Sequence, residues 1–261
     1  MTATTLLNYE RFGSGAPVVL IHGLFGDLDN LKRLGRELES DFELIAIDVR
    51  NHGDSFHSDT MSYEAMADDL ATLLDDLNID RTHIVGHSMG GKVAMEFALS
   101  HPQRVISLVA ADVAPVAYDP KHRHILDALE QLDLTKVENR KDADKLLQKA
   151  IDTHGVRQFL LKNLKHTDNG YEWRLNLPAL DDNYAAISGA VCEGQFDGPI
   201  LFIKGGDSDY LKPEHESAIR DRFTQVDVKI IEGTSHWLHA EKPRIFNRLV
   251  REFLEQQSRA E

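Results

Sequence analysis

Short apolar runs alternate with helically spaced apolar positions along most of this chain. The runs at residues 17–21, 44–47, 83–85, 105–110, 200–203 and 228–231 are rich in β-branched side chains and bounded by Gly, Asp or Pro. That is the pattern of strands buried on both faces. Between them, Met66, Leu70, Leu73, Leu74 and Leu77 recur at helical spacing behind a Ser62 N-cap, and Ile245, Leu249, Val250 and Phe253 do so near the C-terminus. Alternation of this kind predicts an α/β fold with a mostly parallel central sheet and helices on both faces. Residues 6–12 and the Gly13-Ser14-Gly15 turn predict an antiparallel edge hairpin ahead of the first parallel strand.

The alternation breaks once, between Pro115 and Gly198, a span too long for an ordinary connection. Its apolar positions are helical: Ile125, Leu126, Leu129 and Leu132; then Leu146, Leu147 and Ile151; then Val156, Phe159, Leu160 and Leu164. An inserted helical cap over residues 115–195 follows, with residues 171–174 as a connecting turn or strand. Residues 1–114 and 196–261 then form the core domain.

Composition narrows the function. A chain of 261 residues, 42% hydrophobic, can bury one large core. A net charge of −14 repels nucleic-acid phosphates and anionic membrane surfaces. The partner expected is therefore a small molecule, not nucleic acid. No apolar stretch is long enough to span a bilayer, and residues 1–15 lack a basic segment leading into an apolar run. Cys192 is the only cysteine and has no partner for an intramolecular disulfide. A cytoplasmic protein is expected, with Cys192 an inert free thiol.

The strongest chemical signal is Gly86-His87-Ser88-Met89-Gly90, set between the run ending at Val85 and an apolar helical stretch from Gly91 to Leu99. G-x-S-x-G alone arises by chance in roughly one chain in ten of this length. Its position adds the information. A strand-to-helix turn presents the Ser88 hydroxyl above the sheet, at the positive end of the next helix, and the glycines admit neighbouring backbone. A serine hydroxyl is a weak nucleophile at neutral pH, so a base and a carboxylate must follow. Among thirteen histidines, His236 is singled out by the loop after the last apolar run, where such sheets place catalytic groups. His239 reads as a surface or supporting residue. His52, His57, His83, His101, His122, His124, His154, His166 and His215 read as solvated. No pair has metal-ligand spacing, so no metal site is expected.

An oxyanion hole needs two backbone donors. Met89 N–H follows the nucleophile, and the loop Ile21-His22-Gly23-Leu24-Phe25-Gly26 after the first parallel strand supplies the other, Leu24 ahead of Phe25. His22 is assigned to holding that loop, and Asp48 and Arg50 to a local salt bridge. The residues leave the acid open. Asp112 ends an apolar run, where a carboxylate needs a partner, while Asp207 and Asp209 lie in a loop that water can reach.

Six ordered motifs, residues 22–30, 48–55, 86–92, 111–116, 205–210 and 233–243, together resemble the α/β-hydrolase superfamily, and within it the bacterial YbfF-type esterase family. The resemblance spans nearly the whole chain. It implies the α/β-hydrolase fold, carboxylesterase activity on short or medium acyl esters with acyl-CoA thioesters in range, and no cofactor. It also implies Asp112 as the triad acid, where most of the superfamily would use Asp209 or its neighbour.

Overall fold

The computed structural model describes residues 5–259; the first four residues of the N-terminal segment considered above lie outside them. Seven strands form one sheet: β1 (Tyr9–Gly13), β2 (Ala16–Ile21), β3 (Phe42–Ile47), β4 (Thr82–His87), β5 (Val105–Ala111), β8 (Phe196–Gly205) and β9 (Phe223–Ile231). Two further strands, β6 (Leu164–Thr167) and β7 (Gly170–Trp173), pair only with each other. The order across the main sheet is β1-β3-β2-β4-β5-β8-β9, and every pairing except β1 with β3 is parallel. The edge strand is thus antiparallel as expected, but it is no hairpin. The Gly13–Gly15 turn carries the chain past the β3 edge, and β2 enters on the far side of β3.

Side chains alternate between the two faces with the period-two pleat of a strand. Val19 and Ile21 of β2, Ile84 of β4, and Leu108 and Ala110 of β5 point into one core, while Val18, Leu20, Val85, Val109 and Ala111 point into the other. The second core is closed by α1 (Lys32–Leu38) and, from the far end of the chain, by Phe246, Val250, Phe253 and Leu254. The first is closed by α2 (Tyr63–Asp76), which Ser62 caps by accepting the Ala65 N–H at 3.1 Å, and by α3 (Met89–Ser100).

Between β5 and β8 the chain runs through α4 (Arg123–Glu130), α5 (Arg140–Leu147), α6 (His154–Leu160), the β6-β7 ribbon, α7 (Leu177–Asp182) and α8 (Tyr184–Ser188). Leu126, Leu160, Leu164 and Leu180 of this segment join the first core. After β8 come α9 (Glu216–Arg220), β9, α10 (Leu238–Glu241) and α11 (Pro243–Ser258). Among the described residues no helix is long and apolar enough to cross a membrane.

The turn from β4 into α3 packs directly on β2. A Cβ at Gly90 would sit 2.3 Å from the Ile21 carbonyl oxygen and 2.4 Å from that of His22. One at Gly86 would meet the Gly90 oxygen at 2.2 Å. Backbone atoms are the obstacles, so no rotamer change relieves the clash. Gly90→Ala should therefore lower the free energy of unfolding by about 1–3 kcal/mol, the usual size of an overpacking penalty. Urea titration reads this, and a loss under about 0.5 kcal/mol would show that α3 can shift without strain.

Candidate active site

β4 and β5 pair with His87 beside Ala111, so the next residues, Ser88 and Asp112, leave the sheet side by side. Ser88 N–H still donates to Ala111 O at 2.9 Å, and Asp112 N–H to Ile203 O at 2.8 Å. Both residues then turn sharply with positive φ, 54° at Ser88 and 52° at Asp112. Side-chain-bearing residues are held there at a cost of order 1–3 kcal/mol, which the surrounding packing must impose. Ser88 is also the boundary residue of α3, so Met89 N–H opens the helix.

His236 arrives from the loop after β9 and bridges the two. Ser88 Oγ donates to His236 Nε2 at 2.8 Å, and His236 Nδ1–H donates to Asp112 Oδ2 at 2.7 Å. The Asp112 carboxylate is wholly buried. It also accepts the Gly205 N–H at 2.9 Å and the Ser208 hydroxyl, so neither oxygen is left desolvated without a donor. Tyr210 stacks on the His236 ring with centroids 3.9 Å apart, and His87 Nε2–H holds the His236 carbonyl at 2.8 Å. The other acid candidates stand apart. Asp207 is exposed, and Asp209 pairs with Lys121 at 2.5 Å, which holds its carboxyl below the usual range.

The loop after β2 faces the same point. Its His22 accepts the Val49 N–H at 3.1 Å and donates to the Gly23 carbonyl at 2.8 Å, the holding role expected. Phe25, at φ 62°, has its N–H taken by His52 Nε2 at 3.1 Å and its carbonyl held by Asn163 Nδ2 at 2.7 Å. Leu24 and Met89 N–H have no partner among the described residues. Elsewhere Arg50 pairs with Asp69, at 2.6 and 2.7 Å, and not with Asp48. Asp48 instead accepts backbone N–H groups of Leu28 and Asp54, tying two loops together.

Several histidines expected in solvent are not there. His52 and His83 are fully buried. Burial pushes His52 down to about 3 and His83, beside Arg81, to about 4. His122 and His239 fall to about 4 for the same first reason, with His236 as the second. Their neutral rings serve as hydrogen-bonding or packing groups among apolar neighbours, which isolated histidines in a sequence do not announce. Cys192 is free, and burial raises its thiol to about 11.

Two cavities meet at Ser88, sharing Leu24, Ser88 and His122. One is lined by Phe25, Ile125, Val156, Phe159, Leu160 and Trp237. The other is lined by Tyr63, Lys92, Tyr118, Tyr184 and Tyr210. Lys92, Tyr210 and Ser208 fall inside motifs noted in the sequence, yet nothing in their spacing marked them as neighbours of Ser88 or Asp112.

A family model described as the alpha/beta hydrolase fold matches residues 16–243. Esterase YbfF of Escherichia coli is 40% identical over 92% of this chain and 94% of its own length. The sn-1-specific diacylglycerol lipase ABHD11 of Mus musculus is 38% identical over 91% of this chain and 80% of its own. Among solved structures, a marine microorganism esterase superposes with a TM-score of 0.93 at 37% identity, covering 96% of this chain and all of that one.

The buried histidines set a pH dependence of stability. Their folded values lie below the unfolded value of about 6.5, so on acidification the unfolded chain takes up protons that the native state refuses. Stability is unaffected by them above about pH 6.5 and falls as pH drops toward their folded values. His52 alone contributes a slope of about 1.4 kcal/mol per pH unit in that window. Urea titrations at pH 7, 6 and 5 should show a steep loss, shallower in His52→Gln. Stability constant down to pH 5 would mean the native rings are protonated after all.

Proposed function

The chain belongs to the α/β-hydrolase family, in its YbfF-type esterase branch, and on that premise we propose that it hydrolyses carboxylic esters by acyl transfer through Ser88. The observation that carries this reading is the continuous run of hydrogen bonds from Ser88 through His236 to Asp112. His236 takes the Ser88 proton as Oγ attacks the substrate carbonyl. Asp112, already bound to Nδ1–H, fixes the tautomer that leaves Nε2 free to accept and stabilises the imidazolium that forms. Leu24 and Met89 N–H groups bind the oxyanion, aided by the positive end of α3. His236 then protonates the leaving group, and water, deprotonated by the same ring, releases the acid. Each step uses protein groups and water alone.

Residues 115–195 act in this reading as a cap that shapes the substrate site. Their Ile125, Val156, Phe159 and Leu160 wall the apolar cavity beside Ser88, which suits a short to medium acyl chain. The mouse relative's name, a diacylglycerol lipase, is consistent with an acyl chain lying there. A thiolate leaves from the same tetrahedral intermediate as an alkoxide, so thioesters such as acyl-CoA fall within this chemistry.

Ser88→Ala and His236→Ala should each lower kcat by about 10⁴-fold or more in a folded protein, with the double variant little worse, because the pair acts as one unit. Asp112→Asn should cost ~10²–10⁴-fold, and Asp209→Asn and Asp207→Asn each under about tenfold. A crippled Asp209→Asn beside a near-normal Asp112→Asn would move the acid to the β8 loop. Fluorophosphonate labelling with mapping of the modified residue tests the nucleophile directly, and absence of label on Ser88 refutes it.

Chain-length selection follows from the cavity walls. Aliphatic contacts discriminate by ~1–3 kcal/mol per methylene, so kcat/KM over a series of 4-nitrophenyl esters should change gradually, without a sharp cut-off. Phe159→Ala should shift the optimum to longer chains. An unmoved profile in the folded variant would place selection elsewhere.

A further inference from the structure

We infer that the cavity on the Lys92 side of Ser88 receives a carboxylate carried by the substrate, so that the ester suited to this site is an anionic one. The inference rests on the esterase reading and adds the substrate class to it.

Lys92 lies one helical turn beyond Ser88 on α3 and is buried, 2% exposed. Its Nζ donates to Val116 O at 2.7 Å and to Gly189 O. An ammonium has three protons, and the third has no acceptor among the described residues. Among the described residues no carboxylate forms an ion pair with Lys92. Glu96, the next turn along, accepts the Cys192 N–H at 2.7 Å. Asp112 is taken up by His236, Gly205 and Ser208. Asp119 lines the same cavity but lies on its exposed side and forms no ion pair with Lys92.

The other walls suit a cation at this point. Nζ lies 4.6 Å from the Tyr118 ring centroid and 5.5 Å from that of Tyr63, whose faces attract positive charge. Both hydroxyls are committed, Tyr63 to Ile187 O and Tyr118 to Tyr210 O, each at 2.6 Å. A lysine buried without a counter-ion is costly, and burial pushes this ammonium down to about 7. An arriving carboxylate restores the charged form and supplies the missing acceptor. Ser88 and Lys92 line the same cavity, so a short spacer joins that carboxylate to the reacting carbonyl.

The carboxylate can reside in the acyl group, as in a monoester of a short dicarboxylic acid, or in the alcohol, as in an ester of a hydroxy acid. Two matched pairs separate these: monoethyl glutarate against ethyl hexanoate, and the butyrate esters of 4-hydroxybutanoate and of pentanol. In one pair the wild-type kcat/KM should favour the charged member at least tenfold, and the pair identifies the side. Lys92→Met, unbranched, one atom shorter and uncharged, should lower that charged-to-neutral ratio at least tenfold, chiefly through KM. A ratio unmoved within twofold, with both activities reduced, makes Lys92 only a clasp for Val116 and Gly189 and overturns the inference. So does a wild-type preference for the neutral member in both pairs. Should Lys92→Met fail to fold, inhibition of wild-type ethyl hexanoate hydrolysis decides. Glutarate should inhibit at least tenfold more tightly than glutaramide, and equal or weaker inhibition refutes the carboxylate site. Turnover of neutral esters without charge preference defeats this inference alone, whereas no turnover of any of the four esters defeats the esterase reading and this with it.

Discussion

Parallel pairing of β4 with β5, in the register that sets His87 beside Ala111, governs the geometry around Ser88 and Asp112. Adjacent strands lie about 4.8 Å apart, so residues one step past the paired ends are separated by little more than that. An imidazole with one hydrogen bond on each side fills such a gap, and His236 does so between Ser88 and Asp112. A one-residue slip would turn a whole strand inside out against two buried faces. Apolar packing on both sides of the sheet therefore fixes the distance between Ser88 and Asp112, the proposed nucleophile and acid, although neither packing layer takes part in the proposed chemistry. The next strand completes the arrangement, since Asp112 N–H reaches Ile203 O and Gly205 N–H reaches the Asp112 carboxylate.

Groups far away in sequence hold the loops at the sheet's end. Phe25 is gripped by His52 on one side and by Asn163, from the segment between β5 and β8, on the other. With its N–H taken, the adjacent Leu24 N–H is left without a partner among the described residues, beside the cavity that Ser88 lines. The same segment is bound by Lys92 at Val116 and Gly189, and by Tyr63 at Ile187. Movement of that segment would thus disturb both the loop carrying Leu24 and Phe25 and the first turns of α3. In the proposed mechanism, substrate enclosure and oxyanion geometry are for this reason one structural variable.

The sheet was legible because buried strands and amphipathic helices differ in period, and that difference survives in sequence. The edge strand was misjudged for a reason just as physical. Residues 6–15 contain a good turn, but a turn states where the chain bends and not which strand it joins, and β1 pairs with β3. Ser88 and His236 could be proposed as partners because each follows an apolar run, and the structure brings them within hydrogen-bond distance. Asp112 could not be chosen over Asp209 from residue patterns, since both follow a strand, and only resemblance separated them. Buried polar groups were the least legible. His52 and His83 look like any other histidine until the partners that satisfy them, tens of residues away, are brought close.

Those hidden histidines bear on the electrostatics of the proposed reaction. His236 must accept a proton while His87 and His239 lie within ring contact or one ring beyond, His87 4.8 Å from His236 and His239 4.3 Å from His87. A cation on either would oppose the imidazolium through a medium of low dielectric. Burial keeps both neutral, in His239 against the weaker pull of Glu241, and each is pushed lower by the charge His236 itself would carry. His236 differs from them in one respect, the Asp112 carboxylate at 2.7 Å. The same desolvation that disfavours protonation across the cluster strengthens that one attraction. In the proposed mechanism the hydrogen bond to Asp112 is what marks His236, among these rings, as the base.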